Sequence, residues 1–279
     1  MDLSSQEKKA PTLVIDSHVH IGAIGKDYQI VTAQDLQDSM DNAGIAISIV
    51  VSDDFDSGDD WQGVSSDEAI KQCANNPRLK VVGNFSLRRE AAQQEHEICQ
   101  QIETKAICGV KFYPGYENYF PVDQRPQTIY KLCATLRVPV IFHTGFLQEG
   151  TLGNQEQTHP RNIEALAEQH PDLKIIMAHF GNPWVQETAK AIAKHNNLYV
   201  DLSGFFTEYK TVLSTELVEF QGAMTTFANI AGGFSKCLFG TDWPLYSQKE
   251  YLAAVKTLPM NEREQKLVFW ENATLLFDR

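Results

Sequence analysis

Eight times along the chain, a short apolar run rich in β-branched residues is followed by an amphipathic stretch of helical length. The runs are LVIDSHV (13–19), AISIVVS (46–52), KVVGNFS (80–86), GVKFY (109–113), VPVIFHT (138–144), KIIMAHF (174–180), LYVDLSG (198–204) and CLFGTDW (237–243). The helical stretches cover 32–44, 65–77, 89–104, 123–137, 160–170, 183–195, 215–230 and 247–257. Such alternation calls for parallel strands joined by right-handed crossovers. Eight units in 279 residues fit a closed (β/α)8 barrel, a fold that usually takes about 250 residues. An open doubly wound sheet would want a G-x-G-x-x-G turn after its first strand. The turn here, HIGAIG, lacks that spacing. The expectation is an α/β chain with one TIM-barrel domain over 12–279, after a flexible polar tail over 1–11.

Punctuation agrees with this frame. Thr32 is placed to cap a helix that Gly44 ends, and Pro160 and Pro183 suit a first helical turn. Long loops at 53–64, 114–122 and 145–158 all follow strands, which places them on the face where barrel enzymes bind substrate. The acidic loop DDFDSGDD does not match a calcium loop, which wants Gly at its sixth position and Glu at its twelfth.

Charge narrows the partners. A net charge of −12 argues against nucleic acid and anionic membranes. It leaves room for a small acidic substrate in a locally basic pocket. The tail has no apolar signal segment, and no run of 18 or more apolar residues exists to span a membrane. Five scattered Cys with no C-x-x-C pair read as small buried hydrophobes in a reducing compartment. A cytoplasmic protein is expected.

Chemistry concentrates at the strand ends. His96, His159, His170 and His195 fall in or beside helices and carry no expected role. The other four His, together with Asp242, lie at C-terminal strand ends: His18 and His20 in the first, His143 in the fifth, His179 in the sixth and Asp242 in the eighth. In a closed barrel those ends converge on one mouth. Alternation along a strand puts His18 and His20 on one face, with Val19 on the other. Asp16 shares their parity and is expected one layer deeper, as an outer partner that fixes an imidazole tautomer. Buried imidazoles and carboxylates cost about several kcal/mol each unless paired or metal-bound, so packing is a poor account of the whole set. Clustered His and Asp of this kind mark a metal site or catalysis.

The segments D-S-H-V-H, G-V-K-F-Y-P, F-H-T-G, A-H-F-G-N-P and G-T-D-W-P, in this order, resemble the amidohydrolase superfamily, and within it the amidohydrolase-related (amidohydrolase 2) family. The resemblance runs from Asp16 to the E-N-A segment at 271–273. It implies that His18, His20, His143 and Asp242 bind one divalent metal, usually Zn²⁺, with Mn²⁺, Fe²⁺ or Co²⁺ tolerated, and that His179 is the general acid or base or holds the substrate. Binuclear superfamily members bridge two metals with a carboxylated Lys on the fourth strand, where Lys111 stands; in the narrower family that position is not generally a bridge. Lys111 is therefore expected as an ion-pair or substrate contact, with a two-metal site as the minority reading. TatD-like nucleases share D-x-H-x-H but require an acidic E-x-G-x-D motif on the fourth strand, absent here.

The expected activity is metal-assisted hydrolysis of a small carbonyl substrate bearing a carboxylate, with Asp242 and His179 catalytic. The alternative is a metal-dependent non-oxidative decarboxylase of an aromatic or muconate-type acid. Arg88, Lys111, Tyr113, Trp184 and Trp243 are the expected substrate contacts. Related proteins are often dimers, so a homodimer is the expected assembly.

Overall fold

A computed structural model of the chain describes residues 13–24, 29–54, 62–148, 151–206 and 212–278. The expected tail and the centre of the acidic loop lie outside the described residues. Eight parallel strands follow one another in sequence order: β1 Ile15–Val19, β2 Ile47–Val51, β3 Leu79–Asn84, β4 Val110–Phe112, β5 Val140–Phe142, β6 Ile175–Met177, β7 Leu198–Asp201 and β8 Cys237–Leu238. Each neighbouring pair from β1 to β8 is hydrogen-bonded in parallel. Beyond β8 the chain bonds back to β1: Ser17 N donates to Phe239 O at 2.8 Å, Asp242 N to His18 O at 2.8 Å and His20 N to Trp243 O at 2.7 Å. Val19 and Trp243 also form a parallel bridge. The barrel is thereby closed.

Side-chain alternation sorts the core into two layers. Ile15, Ile49, Val51, Val82, Ile141, Ile176 and Leu238 fill the barrel interior, joined by Ala273, Leu276 and Phe277 of the last helix, Asn272–Phe277. The intervening residues, such as Val50, Val81, Val110, Phe142, Met177 and Val200, face the helices. Thr32 and Asp35 form a reciprocal capping box at the start of the helix Ala33–Ala43, and Gly44 ends it at φ 72°. That φ lies in the left-handed region, which glycine adopts without cost. The helix at Pro160–Gln169 opens on its proline. None of the described cysteines is in a disulfide. No described helix is long and apolar enough to cross a membrane.

Three departures from the sequence pattern bear on the site. β8 stops at Leu238 rather than at 243, because residues 239–243 leave the sheet ladder to pair with β1. β6 stops at Met177, and Ala178–Gly181 turns tightly with His179 at φ 61° and Phe180 at φ 37°. A small antiparallel sheet of Gly22–Ile24, Gln29–Val31 and Gln62–Gly63 follows β1, which the pattern of strand-length runs did not reveal.

The expected parity of Asp16 is corrected. The register of β1 against β2 slips between Asp16 and Val19. Asp16 therefore sits with Ser48 on the helix side, while His18 turns inward. Its carboxylate accepts from Thr241 N (3.0 Å), Thr241 Oγ1 (2.7 Å), Gln248 Nε2 (2.8 Å) and, more loosely, His18 N (3.3 Å). Burial pushes this carboxyl up to about 7, against the pull of those donors. Asp16 ties the two ends of the barrel rather than an imidazole ring. Asp16→Ala would strand three buried donors of the closing segment, at about 1 kcal/mol or more each. The expected result is a loss of about 3 kcal/mol or more, read as a lower urea midpoint with an unchanged slope.

Candidate metal centre

The inward turn of β1 places the His18 and His20 rings 5.1 Å apart, centroid to centroid. Each ring is fixed by an acceptor behind it. His18 Nδ1 lies 2.9 Å from Asp201 Oδ2, at the end of β7. His20 Nδ1 lies 3.0 Å from the carbonyl oxygen of Val51, at the end of β2, and 3.4 Å from Asp53 Oδ2. A carbonyl only accepts, so Nδ1 carries the proton and Nε2 the lone pair. Asp242 Oδ1 stands 3.3 Å from His20 Nε2 and 3.8 Å from His18 Nε2. Ligand atoms of His18, His20 and Asp242 all lie within 4.8 Å of one another. Three acceptors aimed at one point, with the outer nitrogens already committed, make a donor set that fits a divalent cation.

His143 stands beside this trio rather than within it. Its Nε2 donates to Phe146 O at 2.9 Å, which leaves Nδ1 with the lone pair. The ring packs against His179, centroids 4.9 Å apart, and against Tyr116, also at 4.9 Å. His179 in turn lies 5.0 Å from the His18 ring, and its Nδ1 is 2.9 Å from Ser203 Oγ and 4.0 Å from Asp242 Oδ2. Both His179 and Asp242 hold left-handed backbone, φ 61° and 65°. For non-glycine residues that conformation costs on the order of 1–3 kcal/mol, and it persists where surrounding bonds enforce it. Here the bonds are His179 N to Asp201 Oδ1 at 3.0 Å and Asp242 N to His18 O at 2.8 Å.

Asp201 is the residue that sequence reasoning missed. The signal was present: an acid in LYVDLSG, at the C-terminal end of a barrel strand and on the inward parity. Ser203, two residues on, and Asp53, after β2, belong to the same neighbourhood.

Electrostatics follow from burial. Burial lowers His18 to about 3, helped by the Lys111 ammonium and opposed by Asp201 and Asp242. It holds His143 well below the ordinary imidazole range, with His179 and Lys111 adding to the effect. His179 is lowered by burial against the pull of Asp242 and Asp201. Burial alone would raise Asp242 and Asp201, but the histidines outweigh it: chiefly His179 and His20 at Asp242, and His18 at Asp201. Both acids are held below the usual carboxylate range. Lys111, on the inner face of β4 and fully buried, is brought down to about 8, its Nζ 3.3 Å from His18 Nε2.

The remaining expected contacts divide. Tyr113 is buried with its ring 6.3 Å from that of His143, and Trp243 lies buried in the closing segment. Trp184 packs instead on His159, centroids 4.4 Å apart, and Arg88 is exposed after β3. The structure does not gather these two into the cluster.

A profile of the family described as amidohydrolase matches residues 15–279. The chain belongs to the amidohydrolase family. It is an enzyme of the metal-dependent amidohydrolase superfamily, as the motif order implied. Among curated proteins, a gamma-resorcylate decarboxylase from Polaromonas sp. (strain JS666 / ATCC BAA-500) is 26% identical over 197 residues. That match covers 63% of this chain and 52% of the relative, so it spans about half the relative's length. Among solved structures, an uncharacterised TIM-barrel protein from Bordetella bronchiseptica superposes with TM-score 0.73 at 21% identity, covering 95% of this chain and 98% of the other. A dihydroxybenzoic acid decarboxylase from Polaromonas sp. JS666, with bound manganese and the inhibitor 2-nitroresorcinol, superposes with TM-score 0.69 at 14% identity, covering 95% and 97%. At these identities the structural matches establish the barrel fold.

The lowered histidines make the metal-free amidohydrolase acid-sensitive. Each imidazole binds its proton more weakly folded than unfolded. Unfolding therefore takes up protons once pH falls below about 6.5. Each of His18, His143 and His179 removes stability by up to about 1.4 kcal/mol per pH unit below that point, until the folded group itself titrates. Denaturant unfolding of chelated protein between pH 7 and pH 5 should show this loss. Excess Zn²⁺ or Mn²⁺ should raise stability at each pH without flattening the slope, since the bound ion keeps protons off the same nitrogens in the folded state.

Proposed function

We propose that the protein is a metal-dependent non-oxidative decarboxylase of a hydroxylated aromatic acid, the reading that sequence reasoning had put second. The observation that carries it is Lys111. Its ammonium is fully buried, and among the described residues no carboxylate lies within 4.0 Å of it. A buried cation without a close counter-ion costs several kcal/mol, and a substrate carboxylate relieves that cost. The rings of Tyr113, Tyr116 and His143 line the same corner and offer flat walls to an aromatic substrate. The names of the decarboxylase relatives support the same substrate class.

His18, His20 and Asp242, with His143 alongside, would hold the cation, Zn²⁺ or Mn²⁺, which when bound supplies Lewis-acid polarisation of substrate oxygens. Lys111 anchors the carboxylate. His179, beside the Asp242 carboxylate, first takes a proton from water at Nε2 and then, as the imidazolium, delivers it to the ring carbon that bears the carboxylate. The bond from that carbon to the carboxylate then breaks, its electron pair returns to the ring and CO₂ leaves. His179 is left neutral as it began, the proton having come from water, and no oxidant or reductant is consumed. Hydrolysis would use the same residues, and no feature of the site favours it over this sequence.

The test is CO₂ release by metal-replete protein from a panel of dihydroxybenzoates, run beside lactones and amides. Turnover of 2,6-dihydroxybenzoate, abolished by chelation, is the expected outcome. Lactone or amide hydrolysis with no CO₂ from any aromatic acid would reverse the assignment. His179→Asn should lower kcat by about 10²–10⁴-fold. Lys111→Met should raise KM by roughly 10–100-fold, the loss of one hydrogen bond to a charged group.

A further inference from the structure

The segment that follows β7, Asp201-Leu202-Ser203-Gly204, is built around the His179 ring. Asp201 Oδ1 accepts from His179 N at 3.0 Å and from Ser203 N at 3.1 Å. The Ser203 hydroxyl donates to the same oxygen in a short contact. With its one proton spent there, Ser203 Oγ faces His179 Nδ1, 2.9 Å away, as an acceptor. His179 Nδ1 must then carry the ring proton, which leaves Nε2 with the lone pair. Asp201 Oδ2, the other oxygen of the same carboxylate, takes His18 Nδ1 at 2.9 Å. Asp201 and Ser203 are 1% and 0% exposed, so water does not compete for these bonds. Gly204 sits at φ 69°, and a methyl on its Cα would run into His179 Nδ1. Only glycine lets the backbone pass this close to the ring.

We infer that Asp201 is a positioning residue that sets the tautomer of two histidines at once, His18 directly and His179 through the Ser203 hydroxyl. The nitrogen left with the lone pair is therefore Nε2 in both His18 and His179, chosen by one carboxylate. The activity consequence rests on the proposed decarboxylation, but the tautomer assignment does not.

The experiment is long-range ¹H–¹⁵N correlation spectroscopy of metal-free protein labelled at histidine, near neutral pH, with His179 assigned by comparison with His179→Gln. In the parent, His179 should show a pyrrole-type Nδ1 and a pyridine-type Nε2. In Ser203→Ala the Nε2 signal should move toward the pyrrole range while His18 keeps its pattern. In Asp201→Asn both rings should shift. A parent His179 protonated at Nε2, or a His179 spectrum unchanged in Ser203→Ala, would overturn the inference. In metal-replete protein, Ser203→Ala should lower kcat about tenfold, the loss of one hydrogen bond to a group that becomes charged. KM and metal content should stay within about twofold of the parent. Should the parent release no CO₂ from any acid, the proposed activity falls, while the spectra still decide the tautomer.

Discussion

The seam between β1 and the segment 239–243 is the constraint on which the site depends. Its backbone bonds, from Ser17 to Phe239, from Asp242 to His18 and from His20 to Trp243, close the barrel. The same bonds set Asp242 beside His18 and His20, more than 220 residues away in the chain. Asp16 reinforces the seam from the helix side through Thr241 and Gln248. The register slip after Asp16 is what separates these roles. Without it Asp16 and His18 would share a face, and the barrel would have either its tie or its ligand at this point, but not both.

Two of the backbone positions that are costly for a non-glycine residue serve the cluster directly. His179 and Asp242 are held in left-handed conformations by bonds that begin or end on other members of the cluster. A left-handed residue turns its side chain sharply off the strand direction. For Asp242 this directs the carboxylate across the mouth toward β1; for His179 it brings the ring against Ser203 and His18. The supporting bonds are buried, so water does not compete for them and the strained conformations persist.

Much of this was legible in the sequence, for reasons particular to each residue. The eight alternating runs demanded a parallel barrel, and the barrel topology made His18, His20, His143, His179 and Asp242 neighbours. Period-two alternation failed at Asp16, because a bulge obeys the pairing partner and leaves no mark in the hydrophobic pattern. Asp201 escaped notice because it stands alone in an apolar strand with no motif around it, although the strand-end rule that found Asp242 applies to it equally. Arg88 and Trp184 were chosen for residue type and for their place after a strand. Type does not say which way a side chain leaves a loop, and in the fold Arg88 meets solvent and Trp184 meets His159.

Charge balance ties the centre together. With the imidazoles as neutral ligands, the carboxylates of Asp53, Asp201 and Asp242 face the one ammonium of Lys111. Three negative charges against one positive leave two negative charges in a buried space, where the effective dielectric is far below that of water. One divalent cation neutralises that remainder. On the proposed reading a second would leave two positive charges in the same space unless a further anionic ligand were supplied. Neutralisation also changes what Lys111 experiences. Without the ion, its charge is stabilised by Asp201, Asp242 and Asp53 acting at a distance. With the ion present those carboxylates are committed elsewhere, and the ammonium is left to attract the next anion that enters. On the proposed decarboxylase reading, this would favour metal binding before the acidic substrate.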